Sequence, residues 1–229
     1  MHIPDGYLGP LTSGLMYALM LPIWTLASRI VKKTLKAKQV PLLAIGAAFS
    51  FVIMMINIPI PGGTTGHAVG AVLVAILLGP WAACIALTVA LVVQALLFGD
   101  GGLTAIGANC FNMAFMMVFS GYYAYRVASG SSPITSKRRI FAAAIAGYVG
   151  INLAALCTAI EFGIQPLLHK AASGQALYCP YGLNVAIPTM MGEHLLIFGW
   201  VEALVTALVV KYLQKQDPSL CTTYEHMRP

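Results

Sequence analysis

The chain has 229 residues, 59% of them hydrophobic and 9% charged, where an ordinary soluble domain carries roughly 25% charged residues. That excludes a water-soluble globular enzyme and leaves one polytopic membrane domain over residues 1–229, because crossing a hydrocarbon core of about 30 Å takes about 20 apolar residues as helix. The net charge of +6 lies in short basic runs at the ends of apolar segments rather than along one polar face, which speaks against nucleic acid and for membrane topology.

The opening Met1-His2-Ile3-Pro4-Asp5-Gly6 has neither the basic nor the apolar region of a signal peptide, so Met1 is expected to be the mature terminus. Apolar stretches follow at 11–31, 41–58, 68–98, 103–125, 140–164 and 188–213. The third is too long for one span. Gly79-Pro80 interrupts it, since proline cannot continue the helical ladder and favours a first turn; on local grounds a division into two helices and a single kinked span fit equally well.

Basic residues support that division, because cytoplasmic connections collect lysine and arginine. Seven spans with the N-terminus outside put Arg29, Lys32, Lys33, Lys36, Lys38, Arg126, Lys137, Arg138, Arg139, Lys211, Lys215 and Arg228 inside and only Lys170 outside. Six spans would send one basic cluster to the wrong side. The predicted fold is therefore all-α, a bundle of seven transmembrane helices ending in a cytoplasmic tail, 214–229.

The third helix, 68–78, has too few residues to cross the bilayer at about 1.5 Å per residue. The preceding segment 59–67 is accordingly expected to dip as a re-entrant loop, permitted at membrane depth only when packed inside protein. That would place His67 below the outer surface, among the helices. The five cysteines, Cys84, Cys110, Cys157, Cys179 and Cys221, lack CxxC spacing and read as small hydrophobes.

On this topology the N-terminus and His67 share the outer side. A second-position histidine can chelate a divalent ion through the Met1 α-amine, its own deprotonated amide nitrogen and its imidazole Nδ1. A fourth nitrogen from His67 completes a square plane, which favours Ni(II) or Cu(II) over tetrahedral zinc and over oxygen-seeking magnesium or calcium. Either histidine alone reads more readily as a terminal or a packing residue; their combination on one face points to metal. Residues 1–10 form the predicted chelating segment. Pro4-Asp5-Gly6 would turn it toward the bundle, and Asp5 could accept a hydrogen bond from an imidazole N–H.

Other polar residues inside apolar segments are functional suspects. Asn109 and Asn112 could orient a ligand loop, with interhelical hydrogen bonding the more frequent role. Glu161 and Glu202 are intramembrane acids without an assigned role. Glu193 and His194 point about 100° apart on a helix, which disfavours a shared ion. Met16, Met20, Met113, Met116 and Met117 read as core rather than a thioether route.

The opening Met1-His2-Ile3-Pro4-Asp5-Gly6-Tyr7-Leu8, the glycine-rich stretch through Gly66-His67, and Gly107-Ala108-Asn109-Cys110-Phe111-Asn112-Met113 resemble the NikM/CbiM substrate-binding subunits of energy-coupling factor transporters for nickel and cobalt. The resemblance covers most of the chain, and the Ile-Pro-Asp-Gly opening looks like the nickel branch. It implies metal ligation by Met1, His2 and His67, with nickel or cobalt as cargo and no organic cofactor. It also implies a prokaryotic cell membrane, a transmembrane coupling subunit and two ATP-binding cassette ATPases as partners.

The chain has no GxxxxGK[ST], so any ATP must be hydrolysed by another protein. It also lacks the HExxH of a metalloprotease, has Val118 where a GxSG serine motif needs glycine, and offers no mid-span lysine in its last segment for a Schiff base. An enzyme is thus not expected. The alternative reading is a stand-alone divalent cation channel or carrier, which would move metal across vesicles without ATPases.

Overall fold

The computed structural model describes residues 1–60 and 64–222. Residues 61–63 of the expected ligand loop and 223–229 of the expected tail, Arg228 among them, lie outside the described residues. The longer helical rods of the described residues are α1 (Pro10–Thr34), α2 (Val40–Met54), α3 (Ala71–Leu78), α4 (Pro80–Phe98), α5 (106–129), α6 (Lys137–Gly163) and α7 (Leu183–Gln216), with short helical turns at Ala37–Gln39, Gln165–Leu168 and Pro218–Thr222. Among the described residues four segments are long and apolar enough to cross a membrane: α1, α4, α7, and α6 with its continuation through Leu168.

The division at Gly79-Pro80 is present. Gly79 has φ 84°, a left-handed value that ends α3, and Pro80 opens α4. The all-α expectation needs one amendment: β1 (Ile58–Ile60) pairs antiparallel with β2 (Thr64–Gly66), Ile58 opposite Gly66. Isoleucine and threonine favour extended backbone. The helix after this hairpin begins at Ala71 rather than Ala68.

Seven of the eight residues of α3 are buried, and it packs against α2, α4, α5, α6 and α7. A helix apolar on every side is stable only inside such a ring. At the periphery α1 and α7 do the opposite, with Leu11, Leu15, Leu19, Leu196, Trp200, Leu204 and Leu208 all exposed. These recur every fourth residue, forming outward stripes suited to a hydrocarbon solvent. Where helices must approach closely, small residues supply the room: a Cβ on Gly150 of α6 would come within 2.9 Å of the Met117 carbonyl of α5.

Three rods contain a π-helical stretch, Gln94–Phe98 in α4, Cys110–Met116 in α5 and His194–Phe198 in α7. Each begins at or next to a buried polar residue: Gln94, Asn109 and His194. A π turn inserts one residue and resets the face that follows it, and such turns recur at functional sites.

Glu202 of α7, fully buried, accepts hydrogen bonds from the backbone N–H groups of Val69 (2.8 Å) and Gly70 (3.0 and 3.1 Å). These are donors at the start of α3 that no intrahelical acceptor could satisfy. Glu202→Ala leaves both unpaired at about 1–3 kcal/mol each. Thermal unfolding in detergent should show a Tm several degrees lower; an unchanged Tm would contradict this anchoring role.

Candidate metal centre

The first nine residues do not fray into solvent. Met1, His2 and Ile3 are buried, at 1%, 6% and 0% exposure. Ile3 is clamped by one amide: its N–H donates to Asn109 Oδ1 (2.8 Å), and its carbonyl accepts from Asn109 Nδ2 (3.1 Å) and from the Gly102 N–H (2.8 Å). The chain then turns at Asp5-Gly6, where Gly6 has φ 84°. Asp5 accepts from the N–H groups of Leu103 (3.0 Å) and Thr104 (2.8 Å) and from the Thr104 hydroxyl. A Cβ on Gly102 would lie 2.3 Å from the Asp5 nitrogen, so glycine is required for this approach. Further along, the Tyr7 carbonyl accepts from the Cys179 N–H and the Gly9 N–H donates to Gln165 Oε1.

This fastening carries His2 to His67, their ring centroids 4.7 Å apart. Each imidazole has one nitrogen occupied. His2 Nε2 lies 3.2 Å from Gln94 Oε1, and His67 Nδ1 lies 3.0 Å from the Ala68 carbonyl. Both partners are acceptors, so these nitrogens carry the protons. His2 Nδ1 and His67 Nε2 are left as bare lone pairs, buried and without a hydrogen-bond partner among the described residues. Asp100 Oδ1 stands 3.5 Å from His2 Nδ1. With no proton between them, two lone-pair-bearing atoms face each other.

The amino terminus interacts electrostatically with both imidazoles. Burial lowers its pKa to about 5 against the pull of the Glu193 and Asp100 carboxylates. Burial first, and then the nearby terminus, push the His2 imidazole down to about 3 despite its bond to Gln94. Both groups are therefore neutral at pH 7, with lone pairs available.

The structure thus brings Met1, His2 and His67 together. Asp5 is engaged elsewhere and does not meet an imidazole; the side chains that do are Gln94 and Asp100, which the sequence reading missed. A lone amide in an apolar span and an acid within Gly99-Asp100-Gly101-Gly102 were the available signals. Asn109 orients the ligand segment. Asn112 pairs between helices, with Thr158 (3.0 Å) and Glu161 (2.7 Å). Glu193 Oε1 lies 3.1 Å from His194 Nδ1, which also faces the Met190 carbonyl at 2.8 Å.

Among the described residues no group of three or more His, Cys, Asp or Glu side chains converges as a metal site. The two imidazoles and the chain terminus are the nitrogen groups brought together here.

A family model described as the cobalt uptake substrate-specific transmembrane region, CbiM, matches residues 2–220, and the chain belongs to this family. A probable fused nickel transport protein of Lactiplantibacillus plantarum is 52% identical over 221 residues, covering 96% of this chain and 66% of that protein. The chain thus spans just under two thirds of that fused relative. A putative metal transport protein of Methanocaldococcus jannaschii is 46% identical, with 98% of this chain and 96% of that protein covered. A crystal structure of a transition metal transporter superposes with TM-score 0.91 at 55% identity over all of both chains.

The buried amine makes docking of the N-terminal segment pH-dependent in metal-free protein. Undocked, the amine has a pKa of 8.0; docked, about 5. As pH falls from 8 to 5 the undocked amine takes up a proton that the docked one refuses. Docking should therefore weaken by up to about 1.4 kcal/mol per unit from the amine alone, and His2, lowered from 6.5 to about 3, adds its own loss as pH falls below its ordinary range. Hydrogen exchange of residues 1–9, corrected for intrinsic rates, should quicken over this window. Flat protection would contradict the burial of an uncharged amine.

Proposed function

We propose that this member of the CbiM family is the substrate-capturing membrane component of an ATP-driven nickel uptake transporter, with cobalt as a second cargo. The ion is held by the Met1 α-amine, the His2 amide nitrogen, His2 Nδ1 and His67 Nε2. The observation that carries this reading is the meeting of two bare imidazole nitrogens with a buried chain terminus.

Three features support the ligand set. His2 presents Nδ1, the nitrogen that can close a chelate ring with its own amide and the α-amine. His67 presents Nε2 from an independent loop. Imidazoles at neighbouring corners of a square, each bound at about 2.0 Å, would have centroids about 4.4 Å apart and opposite corners about 6 Å; the observed 4.7 Å fits neighbouring corners. Four nitrogens in a plane suit Ni(II), and the name of the Lactiplantibacillus relative agrees with that choice.

In this reading all seven rods traverse or enter the membrane with the N-terminus outside, as the distribution of basic residues requires. The central α3 is too short to span, and the β1–β2 hairpin completes its passage, delivering His67 to the outer half. A planar chelate buried to this degree releases its ion slowly, since affinity resides mostly in the dissociation rate. Inward release therefore needs work from outside. The chain has no phosphate-binding loop, so that work comes from partner ATPases acting through a transmembrane coupling subunit.

Titration calorimetry with Ni(II) on purified protein tests the site. His2→Ala and His67→Ala should each abolish submicromolar binding while circular dichroism stays helical, and acetylating the terminus should do the same. Retained submicromolar binding in any of the three would overturn the ligand assignment.

A further inference from the structure

Asp100 lies outside the ligand set yet occupies a distinct place beside it. Its carboxylate is 21% exposed, whereas the His2 side chain 3.5 Å away is 3% exposed. The other acids near the site are not comparably placed. Asp5 is held by Leu103 and Thr104. Glu161 and Glu202 are buried at 4% and 0%, bonded to Asn112 and to the start of α3. The Glu193 side chain is 7% exposed, with its oxygen against His194. Asp100 alone among these combines access to solvent with contact to a candidate ligand nitrogen.

Its position is built into the backbone. The π turn at the end of α4 gives Gln94, whose side chain takes one His2 nitrogen and whose carbonyl accepts the Asp100 N–H at 3.2 Å. Gly99 (φ 66°) and Gly101 (φ 88°) flank the aspartate in left-handed conformations. A Cβ on Gly101 would lie 3.4 Å from His2 Cδ2. One short segment therefore grips the His2 ring from both sides, with a neutral acceptor at Nε2 and an anion at Nδ1.

We propose that Asp100 is the capture residue of the site: its carboxylate draws a hydrated divalent cation from the outer solvent and hands it to His2 Nδ1. This rests on the metal-binding role proposed above. A carboxylate facing a bare imidazole nitrogen across 3.5 Å is an unfavourable pair until a cation enters between them. An anion at the mouth of a low-dielectric cleft also raises the local cation concentration and the on-rate, by about tenfold or more at low ionic strength. The four nitrogens then retain the ion, so the aspartate should govern arrival more than residence.

Stopped-flow mixing of the full chain in detergent with nickel chloride, at low and high ionic strength, separates the two. Asp100→Asn should bind Ni(II) about tenfold more slowly at low salt, with a dissociation rate changed by less than threefold and a deficit that shrinks as salt rises. Asp100→Glu should recover most of the rate, which a folding defect would not allow. An unchanged association rate in Asp100→Asn, or a deficit lying wholly in dissociation, overturns the proposal. A wild-type chain that fails to bind Ni(II) refutes the metal site itself, and so is distinguishable from failure of the capture role.

Discussion

A polypeptide terminus is normally the most solvated point of a chain, because its amine carries a charge and its backbone donors lack regular partners. Here Met1, His2 and Ile3 lie in the interior, and much of the surrounding architecture answers that constraint. The Ile3 backbone is paired at both its donor and its acceptor by Asn109. The amine is relieved of its proton by burial. His2 is fixed in one tautomer by Gln94. These provisions leave unprotonated nitrogen at the place where His67 arrives, and a transition ion is the partner proposed for it.

His67 is controlled from the opposite direction. Its loop is closed below by Glu202, which holds Val69 and Gly70, and above by Phe198, against which Gly66 is packed so closely that no Cβ could fit. Both residues belong to α7, which runs on to Gln216 and the basic end of the chain. One helix therefore touches the loop carrying a candidate ligand and also reaches the face where partner subunits are proposed to act.

Much of this was legible in the sequence, and the omissions have physical causes. The break at Gly79-Pro80, the short third helix and the meeting of His2 with His67 follow from local rules: proline and glycine chemistry, helix rise, and charge asymmetry about the membrane. The β1–β2 hairpin was not legible, because a three-residue pair around Pro-Gly-Gly is too short for alternation to register. Asp5 is the acid that the sequence suggests near an imidazole, because it lies three residues after His2. The outcome depends instead on Gln94, 92 positions away, and on a π turn that no residue pattern announces. Asn109 could be recognised as out of place in an apolar helix, but its service to Ile3 required knowing that the chain's start folds inward.

The central claim is that a transition ion is held by nitrogen alone, three of the four atoms coming from Met1 and His2. X-ray absorption at the nickel K-edge of the loaded protein reads both donor type and geometry. The account predicts a single shell of four nitrogens and the intense pre-edge feature of a square-planar ion. A six-coordinate shell with oxygen scatterers, or a tetrahedral edge, would contradict it.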